Sequence, residues 1–421
     1  MNGIPFPTLD GVRALFRSYD RRLWVLYAGF VVSSMGFAMV VPFVSLYFHE
    51  ELGVPMSLVG IFFLGTAVLR SFAQAYAGDL SDRIGRRRIM IAGQAGRAVF
   101  FAVMAWAVHV RLGFWPASGI LGLSYLAGSF YQPVADAAVS DLVPRERRLE
   151  AYALLRVANN LGWGVGPMLG GMVSEIGYAW LFVFGGLTSA ISSWLIWRHL
   201  AETHDSGRRA AMIRDTGPQG WKNVFEIRRD PRFLGFCVIT LFLFIAMSQW
   251  LATLSVYASG RLGVSRTQLG LLFGMNGLLV VVFQFPVVRA IRRLSLAAAL
   301  ALGSLVYAVS FFSVAFAGNY AHLVLCMIAI TLGELIASPP GTSLASLMAP
   351  PERMGRYLGW YGLTAVAGWS VGPFIGGLLL DRWSEQPMLL WGAVALIALG
   401  AAWGFWSQRR AYPHGGTTVS S

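Results

Sequence analysis

The segment GWGVGPMLGG, residues 162–171, decides the fold because it returns as GWSVGPFIGG at residues 368–377. The two copies agree at seven of ten positions and lie 206 residues apart. Glycines spaced four residues apart give a helix a flat face on which a neighbouring backbone can approach closely. The proline of each copy removes one helical hydrogen bond and bends the helix. A chain that carries this bent, small-residue segment twice is predicted to contain an internal duplication.

The duplication extends well beyond this segment. At the same offset of 206, PVADAAVSDLVPRER (133–147) falls on PPGTSLASLMAPPER (339–353). At an offset of 210, LGVPMSLVG (52–60) falls on LGVSRTQLG (262–270), so four residues are missing from the second copy between these points. The repeat therefore runs from end to end of the chain.

The composition predicts a membrane protein. Hydrophobic residues make up 56% of the 421 positions and charged residues only 13%, which excludes an ordinary soluble domain. Nearly uncharged runs of about 20 residues, the length that crosses a bilayer as a helix, occur about twelve times. Helices are expected because a lipid-exposed backbone must satisfy its own hydrogen bonds. The predicted spans are 23–48, 57–77, 89–110, 116–141, 151–174, 179–200, 233–258, 267–288, 295–317, 321–347, 356–380 and 387–407.

The basic residues predict the orientation of these spans. If both termini face the cytoplasm, 26 of the 33 Lys and Arg residues lie on the cytoplasmic side. Only four, Arg111, Arg261, Arg266 and Arg382, lie on the opposite side. The net charge of +13 is therefore attributed to topology and to contact with anionic membrane lipids, not to nucleic-acid binding.

One charged stretch divides the chain into two halves. Residues 201–232 separate six predicted spans in 1–200 from six in 233–408, and a cytoplasmic tail of 409–421 follows. Because each copy contains an even number of spans, the two copies have the same orientation. The predicted fold is an all-α membrane protein of twelve transmembrane helices in two six-helix bundles related by a parallel pseudo-two-fold repeat. Two related bundles that face each other create a cavity at their interface.

Three motifs resemble a known family. GDLSDRIGRRR (78–88) is similar to the loop signature of the major facilitator superfamily. GFAMVVPFVSLY (36–47) and the glycine-proline segment of the fifth span resemble motifs of the twelve-span drug:proton antiporters within that superfamily. One departure is that LGLSYLAGSFYQP (121–133) lacks the arginine that these antiporters carry in the fourth span and that is associated with proton coupling.

The resemblance implies roles for the loop after the second span and for the repeated segment. By resemblance, Asp82 pairs with cations and forms an inner gate; the alternative is that this loop only anchors the topology. The repeated segments are pivots between moving helices, or else they serve packing alone. The inner-gate residues are Asp82, Arg83, Arg86, Asp141 and Arg356, and the hinge and packing residues are Gly162, Gly166, Pro167, Gly170, Gly171, Gly368, Gly372, Pro373, Gly376 and Gly377.

Charged residues inside spans are expensive and therefore candidates for function. Glu334, near the middle of the tenth span, and Asp136 are predicted proton-coupling or cation sites; for Glu334 the alternative is a protonated packing residue. Arg156 either pairs with Asp136 or faces the cavity. Arg70 and Arg97 either extend toward the headgroups or face the cavity, where they would attract an anionic cargo.

Polar and amphipathic residues within the spans are candidates for the cavity wall, since such sites combine aromatic surface with a few polar groups. Together with the three arginines Arg70, Arg97 and Arg156, they are Tyr131, Gln132, Asn159, Asn160, Gln249, Trp250, Asn276 and Trp360.

Other classes of protein fit the sequence less well. The six histidines lie at span ends or outside spans, and Cys237 and Cys326 fall within spans, so neither an enzyme, a metal site nor a disulfide is expected. A channel would not need the two-fold repeat, and retention of Glu334 argues against a receptor or scaffold. No phosphate-binding loop is present, and no cofactor is expected.

The sequence favours one function and leaves one alternative open. The favoured function is a secondary transporter that exports hydrophobic or amphiphilic compounds in exchange for protons. The alternative is transport of an anionic or lipid-like metabolite that uses the intramembrane arginines. A monomer in a bacterial inner membrane is expected, with both termini in the cytoplasm and with the cargo, protons and lipids as partners.

Overall fold

The computed structural model describes residues 19–144, 147–203, 230–350 and 353–412, which form helices and contain no strand. Most of the predicted linker and tail, residues 204–229 and 413–421, lies outside the described residues. The helices are α1 (Arg21–Leu46, continued by a π turn at Tyr47–Glu51), α2 (Met56–Ile84), α3 (Arg86–His109), α4 (Phe114–Ser129), α5 (Tyr131–Leu142), α6 (Arg148–Ile176), α7 (Tyr178–His199), α8 (Pro231–Met247), α9 (Thr253–Leu262), α10 (Arg266–Ile291), α11 (Leu296–Val314), α12 (Tyr320–Met348), α13 (Met354–Trp383) and α14 (Pro387–Gln408).

Ten helical segments in the described part are long and apolar enough to cross a membrane. Helices α8 and α9 count as one of these segments, Pro231–Leu262. The remaining helices are α4 and α5, each shorter than a bilayer crossing, and the charged helix α6. The molecule is therefore a multi-pass helical membrane protein, while the count of twelve spans stays a prediction.

The predicted span 116–141 is broken at Phe130 into α4 and α5. Pro133 lies just inside α5 and has no backbone N–H, so the carbonyl of Ser129 loses its helical donor. The hydroxyl of Ser129 donates to the carbonyl of Leu126. Beyond the break, α5 carries Gln132, Asp136 and Asp141.

The predicted span 233–258 is also broken, by a short 3-10 turn at Ser248–Trp250. No proline causes this break. Gln249 donates to the carbonyls of Ile245 and Gly372, and Ser248 donates to Ile245 as well. Side chains that bond to backbone carbonyls compete with the helical ladder, which explains the change of direction.

The packing of the helices follows two recurring patterns. Helix α1 packs on α6 and α7, and α8 packs on α13 and α14. Two extensive contacts, α6 on α10 and α2 on α13, join residues 19–203 (the N-terminal half) to residues 230–412 (the C-terminal half). We call the end of the bundle that carries Asp20, Gly85 and Asp230 the terminal end, and the end that carries Glu51, Gly177 and Arg266 the distal end.

Candidate functional site

Three adjoining pockets lie at the centre of the bundle; residues of both halves line two of them, and residues of the N-terminal half line the third. We call the three pockets together the central cavity. Trp163 of α6 borders all three pockets. The arginine pocket, of about 260 Å³, contains Arg70 and Arg97. The glutamate pocket, of about 350 Å³, contains Glu334, and the aromatic pocket, of about 340 Å³, runs between them along Leu251 and Trp369. Asn159 lines both the arginine and the glutamate pockets, so these two pockets adjoin each other.

Arg97 is fixed inside the N-terminal half by neutral partners. Its side chain is only 5% exposed and donates hydrogen bonds to Ser189 Oγ (3.0 Å), Ser33 Oγ (2.7 Å) and Gln94 Oε1 (2.8 Å). A side chain on Gly128 of α4 would collide with it, since a Cβ there would lie 2.7 Å from Arg97 Cδ. Arg97 therefore does not extend to the headgroups, and its hydrogen-bonding capacity is largely used within the protein.

Arg70 has a different environment, although it faces the same pocket. Its guanidinium carbon lies 5.5 Å from the ring centre of Phe37 and 5.9 Å from that of Tyr125. Its Nε is buried without a hydrogen-bond partner, and so is the hydroxyl of Tyr125. No carboxylate in the described part of the chain forms an ion pair with Arg70. Arg70 therefore brings an uncompensated cation to the wall of the cavity.

Glu334 forms the polar centre of the C-terminal half. Asn276 Nδ2 of α10 donates to Glu334 Oε2 (3.1 Å) and to Thr331 Oγ1 (2.9 Å), which fixes the carboxyl group at the pocket wall. Arg156 of α6 lies within electrostatic range of both Glu334 and Tyr361. Both of these residues belong to the other half, so the charge of Arg156 acts across the boundary between the halves.

The aromatic pocket supplies flat apolar surface between the charges. Trp369 of this pocket lies edge-on at 6.3 Å to Trp250, which lines the glutamate pocket and packs near Phe273 at 5.3 Å. Phe37 lies edge-on to Trp163 at 6.2 Å. Aromatic walls with a few fixed polar groups are typical of sites that bind amphiphilic small molecules.

A buried arginine organises the terminal end of the N-terminal half. Arg86 at the start of α3 is 2% exposed; it forms ion pairs with Asp82 (2.5 Å) and Asp141 (3.2 Å) and donates to Ser81. We call Asp82, Arg86 and Asp141 the terminal charge cluster. The structure thus brings together three of the predicted inner-gate residues, from α2, α3 and α5.

The other inner-gate candidates border this cluster or lie across from it. Arg83 is exposed near the end of α2, and Arg356 lies in the first turn of α13 in the other half. Glu202, which was not predicted, accepts hydrogen bonds from the backbone N–H of Arg86 (2.8 Å) and of Arg87 (3.3 Å). A carboxylate there offsets the positive end of α3.

The glycines of the repeated segments divide their contacts in the same way in both copies. Gly162, Gly166 and Gly170 lie against α1 within the N-terminal half, and Gly171 lies against Arg266 and Gly270 of the other half. In the second copy, Gly368, Gly372 and Gly376 lie against α8, the turn that follows it and α9, while Gly377 contacts Met56 of α2. Each segment therefore packs its own half with three glycines and crosses to the other half with its last one. The first segment has a fifth glycine, Gly164, which also crosses to the other half and lies against Gly277.

At the distal end, two carboxylates form hydrogen bonds between the N-terminal half and the C-terminal half. Asp381 accepts the backbone N–H groups of Met56 and Ser57 (both 2.8 Å), the first turn of α2. Glu175 accepts the N–H of Thr267 (3.1 Å) in the first turn of α10. Each acid lies near the end of a helix that carries the repeated segment and caps the first turn of a helix in the other half. We call these caps, with the Gly171 and Gly377 contacts, the distal seal.

Arg266 reinforces the distal seal. It donates to the carbonyl of Ser174 (2.9 Å), lies 3.5 Å from Glu51, and covers the ring of Tyr178 at 4.1 Å. Beside it, Ser259 donates to Glu50 at 2.6 Å. These contacts all join the two halves, so the described structure is closed at its distal end.

The predicted cavity residues are only partly brought together. Arg70, Arg97, Tyr131, Gln132, Asn159, Asn160, Trp250 and Asn276 line the three pockets. Gln249 instead ties the broken span to α13, and neither Trp360 nor Arg156 lines these pockets. Asp136 contacts Gln132 (3.4 Å) and forms no ion pair with Arg156 in the described part of the chain.

Sequence reasoning missed the tryptophans at the centre of the cavity. Trp163 and Trp369 are the same residue of the two repeated segments, 206 positions apart. A large aromatic kept in both copies of a segment otherwise rich in small residues was the available signal. Within the residues that the structure describes, no group of histidine, cysteine or acidic side chains is arranged to hold a metal.

A helical membrane bundle with a polar cavity between two halves has the architecture of a solute transporter. The chain belongs to the major facilitator superfamily, whose sequence profile matches residues 26–265 and 252–418. The expected resemblance to this superfamily is thereby confirmed.

Relatives and solved structures point the same way. The chain is 25% identical over 379 residues to the uncharacterized MFS-type transporter YttB of Bacillus subtilis, covering 88% of this chain and 91% of the relative. It is 25% identical over 384 residues to the multidrug resistance protein MdtH of Yersinia enterocolitica, covering 89% and 92%. The crystal structure of the peptide transporter POT in complex with sulfate superposes with a TM-score of 0.75 at 17% identity, over 93% of this chain and 94% of that one. That last likeness concerns the fold alone.

Proposed function

We propose that this protein is a secondary active transporter that exports hydrophobic or amphiphilic compounds in exchange for protons by alternating access. The observation that carries the proposal is the central cavity, which residues of both halves line and in which Glu334 faces aromatic surface. The similarity to MdtH, a relative named as a multidrug resistance protein, supports amphiphilic cargo.

The proposed architecture is twelve spans in two bundles, residues 1–200 and 233–408. The recurring packing of α1 on α6 and of α8 on α13 supports a two-fold relation between the bundles. With 26 of 33 basic residues on one side, the terminal end faces the cytoplasm of a bacterial inner membrane. The distal seal then closes the cavity to the outside, and the structure corresponds to an inward-facing state.

Glu334 is the proposed coupling residue. Its carboxyl group lines the cavity, so a proton and a cationic group of the cargo compete for the same site. Binding of the cargo would release the proton, and return of the empty carrier requires its uptake. Asp136, on α5 near the terminal end, is the second candidate for proton exchange.

The terminal charge cluster is the proposed inner gate. In the outward-facing state, the terminal ends of the two halves must meet, and Asp82 then pairs with Arg356 of α13 as the distal seal opens. The ion pair between Asp82 and Arg86 already holds the loop in a fixed shape for that contact. The glycine segments let the helices of the two halves separate and close without a leak.

A second candidate function is transport of an anionic or lipid-like compound. The observation that favours it is Arg70, which faces the cavity and forms no ion pair with a carboxylate among the described residues. An anionic group of the cargo would supply the missing counter-charge.

Proton flux into proteoliposomes with an internal pH dye tests the proposal. A panel of cationic, neutral and anionic amphiphiles is added to vesicles that contain the wild type or Glu334→Gln. We expect cationic amphiphiles to move protons through the wild type and the variant to lose at least nine-tenths of that flux, since glutamine cannot exchange a proton.

Glu385→Gln is the matched control, because Glu385 is 89% exposed in a distal loop and outside the cavity. It should keep the wild-type flux. If Glu334→Gln moves protons normally, Glu334 is not the coupling residue; if only anionic compounds produce flux, the second function replaces the first.

A further inference from the structure

The charges of the central cavity are separated by half. Arg70 and Arg97 belong to α2 and α3, whereas Glu334 belongs to α12. The aromatic pocket and Trp163 lie between the two charged pockets. A cargo with only one kind of charge would therefore leave one of these pockets without a counter-charge.

The two arginines differ in how far the protein itself engages their hydrogen-bond donors. Arg97 is engaged by Ser33, Gln94 and Ser189. Arg70 is held by aromatic rings alone, and its buried Nε donates to no described group. The buried hydroxyl of Tyr125 is a second donor without a partner beside it. The two terminal nitrogens of Arg70 are not fully buried and donate to no described group, so from the wall of the pocket they can donate to an acidic group of a cargo.

The glutamate pocket offers a hydrogen-bond acceptor, where the arginine pocket offers donors. Asn276 occupies only Oε2 of Glu334, and Oε1 accepts no hydrogen bond from the described residues. Arg156 reaches Glu334 electrostatically but forms no ion pair with it in the described part of the chain. The space beside Oε1 is therefore open to a basic group that both pairs with the carboxylate and donates a hydrogen bond to it.

Resting on the proposed function, we propose that the cargo is a dipolar aromatic amphiphile. Its acidic group binds the guanidinium of Arg70, its flat apolar body lies against Trp163, and its basic group binds Glu334. A purely cationic compound would meet uncompensated Arg70 on the opposite wall, and a purely anionic one would leave Glu334 unmatched. The dipolar compound compensates both charges within one cavity.

A matched set of four compounds tests this arrangement by calorimetric titration of the purified protein. The parent is 4′-(aminomethyl)biphenyl-4-carboxylic acid, which carries one charge of each sign at opposite ends of a rigid body. Its methyl ester is cationic, its N-acetyl derivative is anionic, and the doubly blocked compound is neutral. A one-ring version of the same series covers a shorter spacing.

We expect the dipolar parent, in one of the two lengths, to bind the wild type at least tenfold more tightly than either singly charged derivative. In Arg70→Gln, the parent and its methyl ester should bind with equal affinity, while the parent should still bind more tightly than its N-acetyl derivative. In Glu334→Gln, the parent and its N-acetyl derivative should bind equally, while the advantage of the carboxylate persists. Arg70→Lys, which keeps the charge, should retain part of the preference for the carboxylate.

Comparison within the wild type does not depend on the folding of any variant. If the ester binds as tightly as the parent in both lengths, or if the N-acetyl derivative does, the dipolar cargo is excluded. Arg111→Gln, in a distal turn, is the control and should leave the order of affinities unchanged. Binding is measured without a proton gradient, so the two proposals can fail separately. If the predicted order of affinities is found but no proton flux is seen, only the proposed function is contradicted. If proton flux is seen but the order of affinities is not, only this inference is contradicted.

Discussion

At the scale of single residues, the structure separates two arginines that the sequence presents as equivalent. Both lie about two turns from the cytoplasmic end of a predicted span, and the sequence predicts that each either extends to the headgroups or faces the cavity. Arg97 is enclosed by polar side chains of α1, α3 and α7, whereas Arg70 projects among aromatic rings. The first is therefore part of the framework and the second part of the binding surface.

Replacing each arginine by glutamine should change the free energy of unfolding by different amounts. Arg97→Gln leaves the partners at Ser33, Gln94 and Ser189 without their donor, so the free energy of unfolding should fall by about 3 kcal/mol. Arg70→Gln breaks no described hydrogen bond and should leave stability within about 1 kcal/mol of the wild type. Thermal unfolding in detergent measures both. Equal loss of stability in the two variants would contradict the division between framework and binding surface.

At the scale of helices, neighbouring glycines of one segment have separate tasks. Gly170 faces α1 of its own half, and Gly171 faces α10 of the other half. A Cβ on Gly171 would lie 2.5 Å from the carbonyl oxygen of Arg266 and 3.0 Å from Cα of Gly270. The boundary between the halves therefore runs between two consecutive residues.

Alanine at each position should distinguish these tasks. Gly171→Ala should force the distal seal apart and make a cysteine placed at Thr267 react at least several-fold faster with a membrane-impermeant maleimide, with little change in unfolding temperature. Gly170→Ala should lower stability by roughly 2 kcal/mol through overpacking against Met39 and Phe43, without exposing the reporter. Both experiments need Cys237 and Cys326 replaced by serine or alanine. An unchanged labelling rate in Gly171→Ala would mean that this contact does not hold the seal.

The sequence predicted what depends on patterns within one helix and missed what depends on contacts between helices. Composition predicted a multi-pass helical membrane protein, and ten of the helical segments described are long and apolar enough to cross a membrane. The glycine-proline segments lie within α6 and α13. The break at Phe130 could have been read from Pro133, but the break at Ser248 arises because Gln249 bonds a carbonyl of α13, a partner remote in the chain. The hydrogen bond between Glu175 and the first turn of α10 likewise joins residues remote in the chain, so it is seen only in the structure. The repeat did offer a signal, because Glu175 and Asp381 are acids at equivalent positions, 206 residues apart.

At the scale of the whole molecule, the proposed alternating access requires opposite ends of the bundle to close in turn. The described structure holds the distal end closed through backbone caps and close-packed glycines. The terminal charge cluster lies at the other end, within one half. If it is the inner gate, its loss should slow the cycle without affecting the fold.

Asp82→Asn tests this role. The substitution keeps the shape but weakens the pairing with Arg86 and with any cation of the C-terminal half, so the rate of cargo transport should fall at least several-fold while expression is unchanged. Transport into inside-out vesicles measures the rate. Asp20→Asn is the control, because Asp20 is another carboxylate at the same end, and the side-chain hydrogen bond from Arg22 holds its pKa below its usual range. Normal transport in Asp82→Asn would remove the cluster from the gate.

The two caps of the distal seal have a consequence for the origin of the molecule. Glu175 corresponds to Asp381 at the offset of 206, and Ser57 corresponds to Thr267 at the offset of 210, so the two caps are one contact made twice, with its members exchanged. Reciprocal contacts of this kind are what an isologous dimer makes. An ancestral unit of half the length, paired with its own copy, would have closed itself with a single acid. Fusion into one chain has freed the two acids to differ: Asp381 now binds two amides and Glu175 one, and each side can be adjusted without the other.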